Sequence, residues 1–250
     1  YGIAIQEDSK IIVAGITWVD DSSDFAVVRY ETDGNLDGSF DGDGKVVTDF
    51  AGDTDYGYAA AVQEDGKIVV AGLSVGTTAD IALARYDSNG SPDTTFGGDG
   101  RVLTDVAGGN DWGFSIAQQT DDKLVVAGIA VVEDVQDFVV VRYDPDGNLD
   151  DSFGGDGKVV TDVIGGADSG RAMTLQPDDK IVVAGYVYST TVDIAVVRYN
   201  SNGELDTDFG SLGKVVTDVS GGTDRGWSVT LDLDENIVVA GNSTSTSSDF

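Results

Sequence analysis

Apolar residues in this chain come in short continuous runs, not at helical spacing, and the runs repeat. The segment Lys67-Ile68-Val69-Val70-Ala71-Gly72 has counterparts at Lys10–Gly15, Lys123–Gly128, Lys180–Gly185 and Asn236–Gly241, at intervals of 57, 56, 57 and 56 residues. Such regularity means one supersecondary unit used many times. In the second unit the apolar segments are Tyr58–Gln63, Ile68–Ser74, Ile81–Tyr86 and Arg101–Val106. Between the first two lies Glu64-Asp65-Gly66-Lys67, whose Asp-Gly suits a tight hairpin turn. A variable loop and a long turn, Asp87–Gly100, separate the others. Four β-like runs divided by turn chemistry predict a four-stranded antiparallel meander. The middle runs are continuously apolar, so both sheet faces should be covered.

Four-stranded units covered on both faces by their neighbours are the blades of a β-propeller. The expected fold is therefore all-β, with units at about 1–57, 58–113, 114–170 and 171–226 and a partial fifth at 227–250. A β-solenoid or a row of small sandwiches is the alternative, although a solenoid coil is usually shorter. The joint pattern QxDGKIVVAG…DFAVVRYxxDGxLDxSFGGDGKVVTD runs through essentially all 250 residues and resembles the bacterial delta-60 repeat family. That resemblance implies a propeller repeat in an extracellular or cell-surface setting. The family has no established catalytic residues, so it implies none here. The chain opens at Tyr1 and stops at Asp249-Phe250 in mid-unit, as a piece of a longer protein would. Missing strands of the last blade are expected from further repeats or from other copies of the chain, because an uncovered edge invites pairing.

Composition narrows the function. With 45 acidic and 14 basic residues the net charge is −31, which disfavours nucleic acid and anionic membrane surfaces as partners. No apolar run reaches membrane-spanning length, so no membrane insertion is expected within this chain. There is no Cys and no His, which removes disulfides, thiolate chemistry, His-ligated zinc and Ser-His-Asp triads.

Three sets of residues are candidates for specific chemistry. The turn after the third strand is fullest at Asp144-Pro145-Asp146-Gly147-Asn148-Leu149-Asp150, with Asp33, Asp37, Asp87 and Asp93 at matching places. Alternating oxygen donors before a Gly could hold Ca²⁺, the one cofactor the chain suggests. The same residues equally describe an Asx turn with a left-handed Gly, which is the favoured reading. Second, the Arg of each Arg-Tyr pair lies in an apolar strand and needs a partner. The Asp of each Thr-Asp pair is in matching phase, giving expected ion pairs Arg29–Asp49, Arg85–Asp105, Arg142–Asp162 and Arg198–Asp218. Third, twelve of the 14 bases sit at repeating positions, leaving Arg171 and Arg225 in the segment that enters the first strand of a unit. Aligned with them are Tyr56, Trp112 and Ser169, then Tyr58, Phe114 and Trp227. Positions that vary while their neighbours repeat could form a binding face, and aromatics with Arg are the side chains enriched at hot spots. Large residues plugging a central channel would look the same.

The best-supported function is a non-catalytic extracellular repeat module, a scaffold or filament subunit completed blade by blade. The alternative is a propeller that binds glycans or small ligands. A glycoside hydrolase with paired acids is the weakest reading, because an active site would not recur in every unit.

Overall fold

The computed structural model describes residues 1–50 and 54–245. Its elements are strands only. The first blade contains β1 (Gly2–Ile5), β2 (Ile11–Val19), β3 (Ser22–Tyr30) and β4 (Lys45–Thr48). The second contains β5 (Asp55–Val62), β6 (Ile68–Val75), β7 (Ala79–Tyr86) and β8 (Arg101–Thr104). The third contains β9 (Asp111–Gln118), β10 (Leu124–Val132), β11 (Val135–Tyr143) and β12 (Lys158–Thr161). The fourth contains β13 (Asp168–Leu175), β14 (Ile181–Tyr188), β15 (Val192–Tyr199) and β16 (Lys214–Thr217). Finally, β17 (Thr223–Leu231) and β18 (Ile237–Thr244) begin a fifth. Strand order within each complete blade follows the sequence. A single parallel pair, Val192 with Thr223, links β15 to β17. Among the described residues no helix is long and apolar enough to cross a membrane.

These are the four four-stranded antiparallel units of a propeller-type fold that the apolar runs predict. The chain divides into two compact parts, residues 1–124 with 143–148 and residues 125–142 with 149–250. In the first part, Ile12, Phe25, Val27 and Phe40 of one blade pack with Ile68, Val70, Ala84 and Tyr86 of the next. In the second, Val182, Ala184 and Val196 pack with Val229, Ile237 and Val239. Every residue of β6 from Ile68 to Ser74 is buried, whereas in β2 only Ile12 and Ala14 are. Apolar residues on both strand faces are thus explained by neighbours on both faces, and β2 has one.

First strands begin earlier than the apolar runs suggest. Tyr56 and Arg225, expected in an entry segment, lie within β5 and β17. The reason is a bulge. In β5 the register runs Tyr56 with Leu73 and Gly57 with Gly72, then shifts so that Ala59 faces Ala71, leaving Tyr58 extra. The same shift leaves Arg171 extra in β13 and Trp227 extra in β17. A bulge interrupts the alternation from which a strand start would be read.

Candidate functional site

The four Arg of the Arg-Tyr pairs are clasped, but by different acids from those expected. Arg29, Arg85, Arg142 and Arg198 place Nε at 2.6, 2.7, 2.8 and 2.8 Å from Oδ2 of Asp37, Asp93, Asp150 and Asp206. The expected pairs with Asp49, Asp105, Asp162 and Asp218 do not form. Strand register is the cause. Phe25 pairs with Thr48 and Val28 with Lys45, so Asp49 falls opposite Asp24 at the far end of the strand from Arg29. The turn after β3 folds back instead, with Leu36 bridging to Tyr30 and the Asp37 amide donating to the Arg29 carbonyl at 3.0 Å.

Each guanidinium makes further contacts. It lies over the Phe that opens the glycine-rich turn, 4.7 Å from Phe40, 4.4 Å from Phe96, 4.7 Å from Phe153 and 4.5 Å from Phe209. Nη1 of Arg29, Arg85 and Arg142 donates to a carbonyl of the following blade's turn, at Ser88, Pro145 and Ser201. The adjacent Tyr reaches the other way: Tyr86, Tyr143 and Tyr199 hydrogen-bond Thr48, Thr104 and Thr161 of the preceding blade at 2.6, 2.8 and 2.8 Å. One dipeptide therefore fastens a blade to both neighbours.

The clasp also settles the Asp-rich turns. Asp37 is held by Arg29, by Lys10 at 2.7 Å and by the Ser39 hydroxyl, and Asp93 by Arg85, Lys67 and Thr95. For Asp93 burial acts upward, but the Thr95 hydroxyl and amide and the Arg85 guanidinium outweigh it and hold the carboxyl at about 2. Asp150 pairs with Arg142 and accepts from Ser152. Asp33 accepts the Asn35 amide, and Asp144 accepts the amides of Asp146 and Asn148, as Asx turns do. Asp87 lies 3.9 Å from the Lys67 ammonium. Among the described residues these turn acids do not converge in threes, so the calcium reading of Asp33, Asp37, Asp87, Asp93, Asp144, Asp146 and Asp150 is not supported by their geometry.

Other acids do converge. Carboxylate oxygens lie within 4.8 Å of one another in Asp24, Asp49 and Asp55; Asp80, Asp105 and Asp111; Asp137, Asp162 and Asp168; and Asp193, Asp218 and Asp224. The first two members of each group face across the third and fourth strands, and the third opens the next blade. Oδ2 of Asp55, Asp111, Asp168 and Asp224 accepts the amide of Phe50, Val106, Val163 and Val219 respectively. Burial, with neighbouring carboxylates adding to it, raises Asp24, Asp55, Asp80 and Asp137, and lifts Asp168 to about 6. Asp224 moves down, because the Ser243 hydroxyl and the Val219 amide donate to it.

The variable first-strand residues form two groups. In the first part Tyr58 stacks on Tyr56 at 6.1 Å and meets Phe114 at 5.1 Å and Tyr1 at 5.7 Å. Trp112 is half-buried in β9 at the place that Tyr56 takes in β5. In the second part Arg171 donates to the Tyr186 hydroxyl at 2.7 Å and lies 5.3 Å from the Tyr186 ring and 5.5 Å from the Trp227 ring. Arg225 stands 5.3 Å from the same Tyr186 ring. Trp227 is 47% exposed and donates its indole N–H to Asn242 Oδ1 at 2.6 Å. Burial acts upward on the Tyr186 phenol, but the Ser169 hydroxyl and both guanidiniums outweigh it and lower it. The extra residue of each bulge, Tyr58, Arg171 or Trp227, is the one at the centre of these contacts. Sequence reasoning missed Tyr186 and Asn242. They occupy the position after the motif glycine, where other units have Ile16, Leu73 and Ile129, and that variation was the available signal.

A family model described as a domain of unknown function (DUF5122), beta-propeller, matches four times, at residues 6–40, 63–96, 119–153 and 176–209. The chain belongs to the DUF5122 β-propeller family. No curated protein matches it. Among solved structures it is similar to a protein of unknown function from Dyadobacter fermentans, at 14% identity and TM-score 0.56, covering 95% of this chain and 70% of that one. It is also similar to a protein from Lactobacillus plantarum, at 17% identity and TM-score 0.53, with coverage of 96% and 63%. The chain thus spans less than two thirds of the Lactobacillus protein. At these identities the likeness concerns the fold alone.

Each DUF5122 segment ends at or beside the clasp Phe and contains the Lys, Arg and turn Asp that meet there. The bulge residues Tyr58, Arg171 and Trp227 and the aligned Phe114 lie outside the matched segments, as do Asp49, Asp105, Asp162 and Asp218. What the family shares in this chain is the device that fastens blades together.

Proposed function

We propose that this chain is a non-catalytic repeat module of the cell surface or extracellular space, a scaffold or filament subunit whose uncovered blade surfaces are covered by further blades of the same kind. The likeness to delta-60 repeats motivates the location. The reading rests chiefly on the first blade. Ala4 packs inward, and a Cβ on Gly2 would meet the Ala59 backbone at 2.8 Å, so alternate residues of β1 face away from the second blade. Those residues are Ile3 and Ile5, 67% and 68% exposed. Terminal repeats of a soluble array normally carry a polar outer face. Likewise β18, none of whose residues is buried, pairs among the described residues with β17 alone. A free strand edge and an apolar face are both pairing surfaces. The clasp also argues for an array, since each blade carries groups that reach its neighbours, and recurrence of every acid group in four copies argues against a single catalytic centre.

Sedimentation velocity across a range of concentrations tests this. The expected result is concentration-dependent self-association, weakened when Ile3→Lys and Ile5→Lys are combined. Both side chains are exposed, so the fold should tolerate the change to within about 0.5 kcal/mol each. A wild-type chain that sediments as a monomer throughout would sink the proposal.

The Arg171–Tyr186–Trp227–Arg225 group favours a second reading, the binding of an acidic glycan. An exposed indole offers a stacking face, and two guanidiniums converge on one ring in a chain of strongly negative charge. On an array of acidic glycans, Trp227→Ala is expected to weaken binding about tenfold or more. Equal binding by the variant and the wild type would remove this group from the reading.

A further inference from the structure

We infer that the seam between the third and fourth blades, formed by Asp137, Asp162 and Asp168, is a Ca²⁺ site. Three carboxylates within 4.8 Å are not by themselves a site. The condition of the buried ones points to a ligand. Asp137 is 9% exposed, and among the described residues neither a hydrogen bond nor an ion pair with Lys or Arg reaches it. Asp168 is fully buried; its Oδ2 accepts the Val163 amide while its Oδ1 accepts nothing. Asp162, exposed, accepts the Gly165 amide through Oδ1. The Lys214 ammonium donates to the Asp162 backbone carbonyl at 2.6 Å and forms no ion pair with these carboxylates. Two buried carboxylate oxygens without donors beside a third acid are costly unless something positive sits among them.

The first seam differs: Ser22 donates to Asp24, and Asp55 pairs in the sheet with Ser74, whose hydroxyl acts downward on its carboxyl, where Asp168 pairs with Val187. The fourth seam shows the alternative solution. There Ser189 and Thr191 donate to Asp193, and Ser220 donates to Asp224. The two buried positions, Asp193 and Asp224, are satisfied by hydroxyls in this seam and left open in the third, so orphaned oxygens are not an obligatory feature of this turn.

The donors are all hard oxygens, in a chain without His or Cys, which selects an alkaline-earth ion over zinc or copper. Oxygens facing each other across Ca²⁺ stand about 4.6–5.2 Å apart, twice the usual bond length, which the 4.8 Å grouping accommodates. Mg²⁺ demands a tighter octahedron and holds its waters. Carboxylates of β11, of the residue after β12 and of the start of β13 would then share one ion. Its binding would tie the fourth blade to the third at the strand ends remote from the Arg clasp.

The test uses the whole chain, melted with chelator, with millimolar Ca²⁺ and with millimolar Mg²⁺ at constant ionic strength. Asp137→Asn and Asp168→Asn are compared with Asp146→Asn, which removes the same charge from an Asx turn. Ca²⁺ is expected to raise the wild-type melting temperature by about 3–6 °C at tenfold saturation. The rise should persist in Asp146→Asn and vanish in the two seam variants. In chelator the seam variants should melt at or above the wild type, because a buried anion has been neutralised. The inference is overturned if Ca²⁺ does not move the wild type, if Mg²⁺ does as much, or if the seam variants respond fully. Loss of the response in Asp146→Asn would place the ion in the turns and overturn it too. Calorimetric titration of the wild type adds a readout that needs no variant: saturable binding is expected, and none would refute the site.

Discussion

Arg85→Ala is expected to destabilise the protein by about 3 kcal/mol, the low end for breaking a buried ion pair, because Asp93 keeps the Lys67 ammonium and the Thr95 donors. Arg85 and Asp93 are 4% and 3% exposed, so solvent cannot take over the lost interaction. The variant also removes the contact with Phe96 and the hydrogen bond to Pro145 of the next blade. Urea unfolding measures the loss, and a double-mutant cycle with Asp93→Asn separates the pair from the packing. A change below about 1 kcal/mol would mean that the guanidinium is not a structural anchor. The clasp also has a pH signature. Asp93 is held at about 2, below its unfolded value near 3.9, so its contribution is complete above about pH 4. It is lost as pH falls towards 2, by about 2–3 kcal/mol.

Gly185→Ala carries the second large effect, about 4 kcal/mol, or a fall in melting temperature of about 8–16 °C. A Cβ there would stand 1.8 Å from the Ser169 carbonyl oxygen, and the same distance recurs between Gly72 and Tyr56 and between Gly241 and Arg225. The bulge in β5, β13 and β17 pushes that carbonyl over the glycine, so in these units the last residue of the repeated motif is fixed by its neighbour strand. Backbone cannot move aside as a flexible side chain can, and relief would require losing the bulge. Gly76→Ala is the control, since the atom nearest its Cβ lies at 3.8 Å and its φ is not left-handed. Equal melting of the two variants would show that the bulge yields easily.

An Arg in an apolar strand needs an acid, and both Asp93 and Asp105 lie within reach along the sequence. Choosing between them depends on where the turn after β7 crosses back, which is set by the bridge of Pro92 to Tyr86. Asp111 is first in its strand and wholly buried, although Gly108-Gly109-Asn110-Asp111 has the composition of a polar turn. Seam acids come from three separate segments, and spacing along the chain does not reveal such a meeting. The bulge residues were legible as candidates for the opposite reason: in a repeat, departure from the pattern is visible without coordinates.

By itself the sequence determined the unit, its length, its four strands in order, and the burial of the second and third strands on both faces. These follow from local turn chemistry and from apolar runs, which depend on near neighbours and are reinforced by every copy. Only the tertiary structure decided which carboxylate meets which guanidinium, where the carbonyl presses on the motif glycine, and which acids gather at the seams. Those outcomes depend on strand register and on the stacking of one blade against the next. A shift of one residue in register would exchange the partners while leaving the pattern of runs unchanged.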